Sequence, residues 1–420
     1  MNMAQVGHYT TPGTSMAKKK SSSSWGRRSV LYLTNLVFLV LRWAKPVIGL
    51  KPIASITLVT RFDHVQEILS RDDIFRVPYA AKMQKITGEG NFFLGMDDTP
   101  IYQRDVANMR QAVRRDDIQT KITPFVNSLC NNILASCRGR LDVVQELTRV
   151  VPTRLMGEYF GVPGWDQNEF TDAATAMFHY LFYPVDTAAE QAALDAAGKT
   201  RAYLDRTIAE RKARRTPQDD ILARCLSMQD AGAPGMTDVD IRNNLIGLII
   251  GAIPTTSKSA VNVLDYLLDH PALLALAQRA ARADDDRRLV SYVQECLRLN
   301  PFAAGVQRIC AQDYVVAQGT WRATRIPKGA MVLAATQSAG MDSRKIYAPR
   351  VLCLNRPAHH YLHFGYGLHT CFGQHINLAQ IPAMVKSVLK LPGLRRASGA
   401  AGKMQSVGPF PVSLGLEFDA

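Results

Sequence analysis

One stretch near the C-terminus constrains this chain more than any other: a glycine-rich loop that carries a single cysteine. It reads Phe364-Gly365-Tyr366-Gly367-Leu368-His369-Thr370-Cys371-Phe372-Gly373, and an apolar pattern with helical spacing follows it. Glycine permits positive φ and lets a flat ligand approach the backbone closely. A cysteine at the start of a helix gains from the helix N-terminal field and from backbone N–H donors, and both favour the thiolate. We therefore expect Cys371 to be a thiolate that faces a flat ligand.

The residues alone allow three interpretations of Cys371. It could be a buried free thiol in a turn, or a zinc ligand, because histidines crowd the same region (His359, His360, His363, His369 and His375). Zinc sites usually pair cysteines or place histidines at fixed helical spacing, and the sequence has neither. The third partner is a haem iron, which suits a thiolate because the thiolate donates electron density that favours O–O cleavage.

The loop has the pattern F-G-x-G-x-H-x-C-x-G, and at every fixed position it resembles the haem-binding loop of cytochromes P450. The resemblance runs from roughly Thr57 to the C-terminus. It implies the cytochrome P450 fold, a mostly α single large domain with a minor β region. It also implies that haem b is bound through Cys371, with the loop residues Phe364, Gly365, Gly367 and Gly373 around the cofactor.

The resemblance also implies which side chains pair with the haem propionates. Arg308 and His369 occupy positions from which family members reach them, and a guanidinium suits a carboxylate well. The family adds a basic residue on the helix that we expect between residues 97 and 116. Its usual histidine position is Tyr102 here, and the arginine expected four residues later is Val106. Two other basic residues of this segment are therefore candidates, Arg104 and Arg110.

A long apolar helix is expected from the capping signal at Thr237 to about Leu268. Its segment 251–256 resembles the family's A/G-G-x-D/E-T-T sequence, whose acid–alcohol pair relays protons to dioxygen. The alcohol remains as Thr255, with Thr256 after it, but the acid position is Pro254. Proline has no N–H, so we expect the helix to open at this point. The candidate catalytic residues are Thr255, Thr256 and Pro254.

Large apolar side chains in two stretches suggest a substrate pocket. Residues 72–96 mix aromatic residues with glycines, which favours pocket lining over an ordinary surface loop. Residues 177–183 are densely aromatic, which fits either a lid over the pocket or plain core packing. With the positions that the resemblance adds beside the haem, the expected pocket residues are Phe92, Phe93, Phe178, Ile250, Gly251, Phe302, Val306 and Phe410.

Glu295 and Arg298 form an E-x-x-R pair on one helix face. Such a pair alone is often a surface ion pair of little energetic value. Its position before the cysteine loop matches the family, in which the pair binds a later arginine. Arg356 fits as that third member, and we expect a structural role for the three residues.

The net charge of +14 could indicate binding to nucleic acid, an anionic membrane or an acidic protein. The basic residues are dispersed and no nucleic-acid motif accompanies them, so we expect no nucleic-acid partner and a basic face for an acidic electron donor. Seven scattered cysteines indicate reduced thiols and a cytoplasmic protein.

The N-terminal region divides into two parts. Residues 1–28 are rich in serine and lysine and are expected to be a disordered tail, with the cytochrome P450 domain at 29–420. The apolar run 30–41 is shorter than the ~20 residues that span a bilayer, so a core or interfacial helix is expected and membrane association is the weaker alternative.

The expected function is oxidation of a small, mostly apolar molecule by a monomeric monooxygenase of secondary metabolism. Electrons would come from a separate ferredoxin- or flavodoxin-like protein, because the chain has no flavin or Fe–S motif. Pro254 leaves room for a peroxygenase driven by hydrogen peroxide, or for a haem-thiolate rearrangement without oxygen activation. A haem-binding sensor or scaffold without turnover is a third alternative.

Overall fold

The computed structural model of the protein describes residues 24–49, 56–214 and 218–419. Most of the predicted tail, residues 1–23, lies outside the described residues, and the first helix begins within the remainder, at Ser24. Helices make up 57% of the structure and the sheets are small, which confirms the predicted mostly α class. The helices are α1 Ser24–Ala44, α2 Phe62–Leu69, α3 Ala80–Thr87, α4 Pro100–Ala112, α5 Thr123–Ser136, α6 Val150–Glu158, α7 Gln167–Phe182, α8 Thr187–Arg214, α9 Ile221–Asp230, α10 Asp238–Leu268, α11 Pro271–Arg282, α12 Asp286–Leu299, α13 Thr336–Ala339 and α14 Gln374–Leu389.

The strands of the described residues form one five-stranded sheet and three smaller ones. They are β1 Val47–Gly49, β2 Ile56–Val59, β3 Phe75–Arg76, β4 Arg140–Asp142, β5 Val306–Cys310, β6 Tyr314–Val316, β7 Thr324–Ile326, β8 Met331–Ala334, β9 Arg395–Arg396, β10 Gln405–Val407, β11 Phe410–Ser413 and β12 Gly415–Glu417. The large sheet has the order β1-β2-β8-β5-β3, in which only the β2–β8 pair is parallel, with Ile56 opposite Met331. The smaller sheets are β10-β11, β4-β12-β9 and β6-β7.

Helix α10 is the central element of the helical core. It begins at the predicted cap, where the Thr237 hydroxyl accepts from the Asp240 N–H and the Asp240 carboxylate accepts from the Thr237 N–H. Helices α7, α8, α12 and α14 pack around it. The predicted opening at Pro254 is wrong, because the helix continues through the proline to Leu268. Packing on several sides outweighs the loss of one backbone hydrogen bond.

Helix α1 is fixed to the rest of the chain by one face. Phe38 is buried, and the buried Arg42 guanidinium donates to the carbonyl and hydroxyl of Ser338 at 3.0 and 2.8 Å. The other face is apolar and exposed at Leu33, Leu36, Val37, Val40 and Trp43. Among the described residues, no single helix has both the length and the apolar character needed to cross a membrane.

Candidate active site

The cysteine loop has the backbone geometry that its glycines predict. The Cys371 N–H donates to the Phe364 carbonyl at 2.7 Å, which closes the loop just before α14. Gly365 and Gly367 have φ values of +82° and +73°. A Cβ on Gly367 would also lie 2.4 Å from the Leu69 carbonyl oxygen, so both strain and space require glycine there.

Cys371 lines a cavity, and its accessible surface opens into that cavity. Burial raises the pKa of the Cys371 thiol, and the hydrogen bond from the Gly373 backbone offsets this only in part. The backbone N–H donor that the sequence predicts is present, and burial acts against it. A metal ion bound to the sulfur would favour the thiolate.

The cavity has a volume of about 590 Å³ and mostly apolar walls. Leu248, Gly251 and Ala252 of α10 form part of its lining, and residues 368–373 of the cysteine loop form another part. Phe93 also lines it and meets the Phe372 ring at 5.0 Å between centroids. Within the described part of the chain, no carboxylate lines this cavity.

Helix α4 contributes one face to the same cavity. Tyr102, Val106 and Arg110 all line it, as expected for residues four apart on a helix. Arg104 does not reach the cavity, since it pairs with Asp105 at 2.8 Å and packs against Gly235. Arg110 therefore remains a candidate partner for a haem propionate. The prediction for Arg104 is corrected, because that side chain has a structural role.

A polar cluster lies beside the cysteine loop and includes His369 of the loop itself. Its other members are Arg308, Tyr102 and Asp72. Arg308 is buried, and its Nε atom has no hydrogen-bond partner among the described residues. Burial and then the charge of Arg308 lower the pKa of His369 to about 4, so its ring is neutral at pH 7. The Tyr102 hydroxyl donates to the Leu368 carbonyl at 3.1 Å. A buried guanidinium with a free N–H suits a ligand carboxylate.

The two threonines of α10 face different partners. The Thr255 hydroxyl donates to the Gly251 carbonyl at 2.5 Å. Because Gly251 lines the cavity, the hydroxyl lies beside the cavity wall. The Thr256 hydroxyl donates to Asn377 Oδ1 at 2.9 Å, and Gln380 Nε2 donates to the same oxygen at 2.7 Å. The structure therefore assigns Thr256 to holding α14, which corrects its predicted proton-relay role.

Asn377 and Gln380 line the cavity as well, and sequence reasoning did not identify them. The available signal was a pair of amide side chains three residues apart, on one face of the helix that follows the cysteine loop.

The eight predicted pocket residues separate into three groups. Phe93 and Gly251 line the cavity, whereas Phe92 packs against Gly247, and neither Ile250 nor Val306 belongs to the lining. Three phenylalanines form a second cluster, with centroid distances of 5.5 to 6.5 Å, and the ammonium of Lys258 lies over two of their rings. These phenylalanines are Phe178, Phe302 and Phe410. Sequence reasoning did not identify Lys258.

The structure brings the predicted Glu295, Arg298 and Arg356 together in the core. Arg298 donates to both Glu295 oxygens at 2.8 Å, and Arg356 Nε donates at 2.9 Å. The Cys353 N–H adds a bond at 2.8 Å. Burial alone would raise the pKa of Glu295, but the hydrogen bonds and charges of the two arginines hold it below its ordinary value. The three side chains therefore form a satisfied ionic network that holds the region before the loop.

This donor set fits the haem that the loop pattern predicts. The cavity offers a thiol sulfur, walls that are mostly apolar, and no carboxylate among the described residues of its lining. The buried Arg308 Nε, which lacks a partner in the described structure, fits a propionate.

Comparisons with known proteins agree with this geometry. The family profile described as Cytochrome P450 matches residues 54–391. Nocardicin C N-oxygenase of Nocardia uniformis subsp. tsuyamanensis is 26% identical over 351 residues, or 81% of this chain and 83% of that protein. Vitamin D(3) 25-hydroxylase of Pseudonocardia autotrophica is 26% identical over 373 residues, or 87% of this chain and 86% of that protein. The crystal structure of CalO2 has a TM-score of 0.79 at 23% identity, covering 93% of this chain and 97% of that chain.

Proposed function

This chain belongs to the cytochrome P450 family of haem-containing monooxygenases, and on that premise we propose that it oxidises a small, mostly apolar molecule of biosynthetic metabolism. The observation that carries the proposal is the largely apolar cavity of about 590 Å³ into which Cys371 opens. The similarity of the chain to a nocardicin C N-oxygenase and to a vitamin D(3) 25-hydroxylase supports a biosynthetic substrate of comparable kind.

Each side chain of the site then has a distinct task. Cys371 would bind the haem iron, and Arg308 and Arg110 would pair with its propionates, with His369 beside them. Haem bound at Cys371 supplies an iron centre at which oxygen is activated. Phe93 and the α10 residues of the lining orient the substrate and exclude water. The hydroxyl at Thr255 Oγ1, beside the Gly251 carbonyl, is the group that can pass a proton from water.

We propose a separate, acidic electron-donor protein of the ferredoxin or flavodoxin kind. Arg110, Arg114 and Arg115 line the cavity from the end of α4 onward, and the chain has a net charge of +14. Such a surface attracts an acidic partner at low ionic strength. We also propose a reducing, cytoplasmic compartment, since all seven cysteines are free.

A second candidate function is a peroxygenase that uses hydrogen peroxide. Two observations favour it: Pro254 occupies the position of the usual acid, and no described residue of the cavity lining is a carboxylate. Proton delivery in this protein then depends on Thr255, on water or on the substrate. A peroxide-driven reaction needs no proton delivery to dioxygen.

Two measurements test these functions. The absorption spectrum of the reduced protein with carbon monoxide is expected to report thiolate ligation, and Cys371→Ser is expected to abolish that signal. An unchanged spectrum in that variant contradicts the haem-thiolate assignment. Turnover with reductant and ferredoxin, compared with turnover on hydrogen peroxide, then separates the monooxygenase from the peroxygenase.

A further inference from the structure

The outward face of helix α1 is apolar over the part whose side chains the structure describes. Between residues 33 and 44, every exposed residue of this helix is apolar, and the six are Leu33, Leu36, Val37, Val40, Trp43 and Ala44. At 3.6 residues per turn, these positions fall within about 120° of one another around the helix axis. A surface helix of a globular protein normally presents polar and charged side chains to water. An apolar phase other than the protein core therefore suits this face.

The opposite face of α1 fixes the orientation of the helix. Phe38 and Arg42 lie there, and both are buried. The Arg42 guanidinium donates to Ser338 of α13, and the Arg42 carbonyl accepts from Arg61 Nε and from an Arg344 N–H, both at 2.9 Å. Turning the helix to bury its apolar face would break these hydrogen bonds, so the fold holds that face outward.

The length of the apolar part suits a membrane surface rather than the membrane interior. The stretch Leu33–Ala44 is shorter than the ~20 apolar residues that cross a bilayer. A short amphipathic helix instead lies in the plane of the interface, with its apolar side among the acyl chains. Trp43 is 59% exposed at the end of the stretch, and tryptophan is enriched where a membrane meets water.

The charges near α1 distinguish an anionic lipid surface from a second copy of this chain. Residues 1–62 contain nine lysines and arginines but no aspartate or glutamate. The guanidinium of Arg344 lies 4.6 Å from the centre of the Trp43 ring, and Lys45 is exposed just after the helix. Two copies that met through this face would bring like charges together, whereas phosphate headgroups would neutralise them.

We propose that the exposed apolar face of α1 binds this protein peripherally to an anionic lipid membrane. Its five large apolar side chains enter the outer part of the acyl region, and the surrounding basic residues contact the headgroup phosphates. The proposal goes beyond the proposed function and does not depend on it. It also reverses the order of the alternatives that the sequence gave for residues 30–41, in which membrane association was the weaker one.

Sedimentation of the full-length, haem-loaded protein with lipid vesicles tests the proposal. One set of vesicles is phosphatidylcholine alone, and the other is equal parts of phosphatidylcholine and phosphatidylglycerol. We expect binding to the mixed vesicles to be at least about tenfold tighter than to phosphatidylcholine, and to weaken as sodium chloride is added. The double variant Val37→Asn/Val40→Asn should weaken binding to the mixed vesicles by about tenfold or more, because it removes apolar area that the membrane would bury.

Ile101→Asn/Val407→Asn is the matched control. Ile101 and Val407 are 53% and 54% exposed, and Val37 and Val40 are 53% and 56% exposed, so the two double variants change similar apolar surface. The control residues lie on α4 and β10. This variant should bind the mixed vesicles as tightly as the unmodified protein does.

Three results would overturn the proposal: no binding to the mixed vesicles, equal binding to both kinds of vesicle, or equal losses in the two double variants. The first two are measured on the unmodified protein, so they do not depend on the folding of a variant. Sedimentation velocity without lipid adds a fourth. A dimer of the unmodified protein that Val37→Asn/Val40→Asn dissociates would assign this face to a second copy of the chain instead.

Discussion

Replacing Glu295 by glutamine removes one negative charge that two buried arginines share. Four hydrogen bonds from Arg298 and Arg356 reach its carboxylate, at 2.8, 2.8, 2.9 and 3.4 Å, and all three side chains are at most 3% exposed. Glutamine keeps the size but leaves two guanidinium charges without a counter-charge. Breaking a buried ionic network in this way typically costs about 3–5 kcal/mol. We expect Glu295→Gln to lower the free energy of unfolding by about that amount.

This change in the free energy of unfolding is measured by urea unfolding of the haem-loaded protein, followed by circular dichroism. It is calculated from the shift in the urea midpoint and from the slope of the free energy against urea concentration. Glu417→Gln is the matched control, because Glu417 also lies between two arginines, Arg140 at 3.6 Å and Arg395 at 3.7 Å. Those arginines are 81% and 54% exposed, so this substitution should cost less than about 1 kcal/mol. Equal losses in the two variants would refute the reasoning that burial makes the Glu295 network valuable.

The same network predicts an acid dependence. The pKa of Glu295 is lower in the folded protein than its ordinary value of 4.5, so its contribution to stability is complete above pH 4.5. That contribution is lost as the pH falls through the folded value. Glu295→Gln should lack this part of the acid destabilisation, and an unchanged acid profile in the variant would contradict the assignment.

Three further predictions follow from single residues. Burial and the charge of Arg61 lower the pKa of the buried His64 to about 4, so stability should fall from pH 6.5 towards pH 4 as the unfolded chain takes up the proton. His64→Leu should recover up to roughly 3 kcal/mol of unfolding free energy at pH 4, and an unchanged pH profile would contradict this. Gly367→Ala should lower the haem content of the purified protein, because alanine is strained at this positive φ and its Cβ would clash with the Leu69 carbonyl oxygen. A full haem content in this variant would refute the need for glycine. Arg308→Met should speed haem loss to apomyoglobin, whereas Arg104→Met should not, and equal rates would refute the propionate assignment.

The sequence allowed prediction of the features whose residues lie close together in the chain. The glycine positions of the cysteine loop follow from local backbone geometry, and the Thr237 cap follows from side chains three residues apart. The Glu295 network was predictable for another reason, because a family pattern related Arg356 to the helical pair. In the loop and the cap, the interaction requires particular residue types at a fixed local spacing.

Features that depend on packing were predicted less well. The pKa of Cys371 rises because the folded chain buries it, and no local pattern reports that burial. Thr256 turns towards Asn377 because α14 packs beside α10. Arg104 could have been set aside from the sequence, since helical spacing groups Arg110, and not Arg104, with Tyr102.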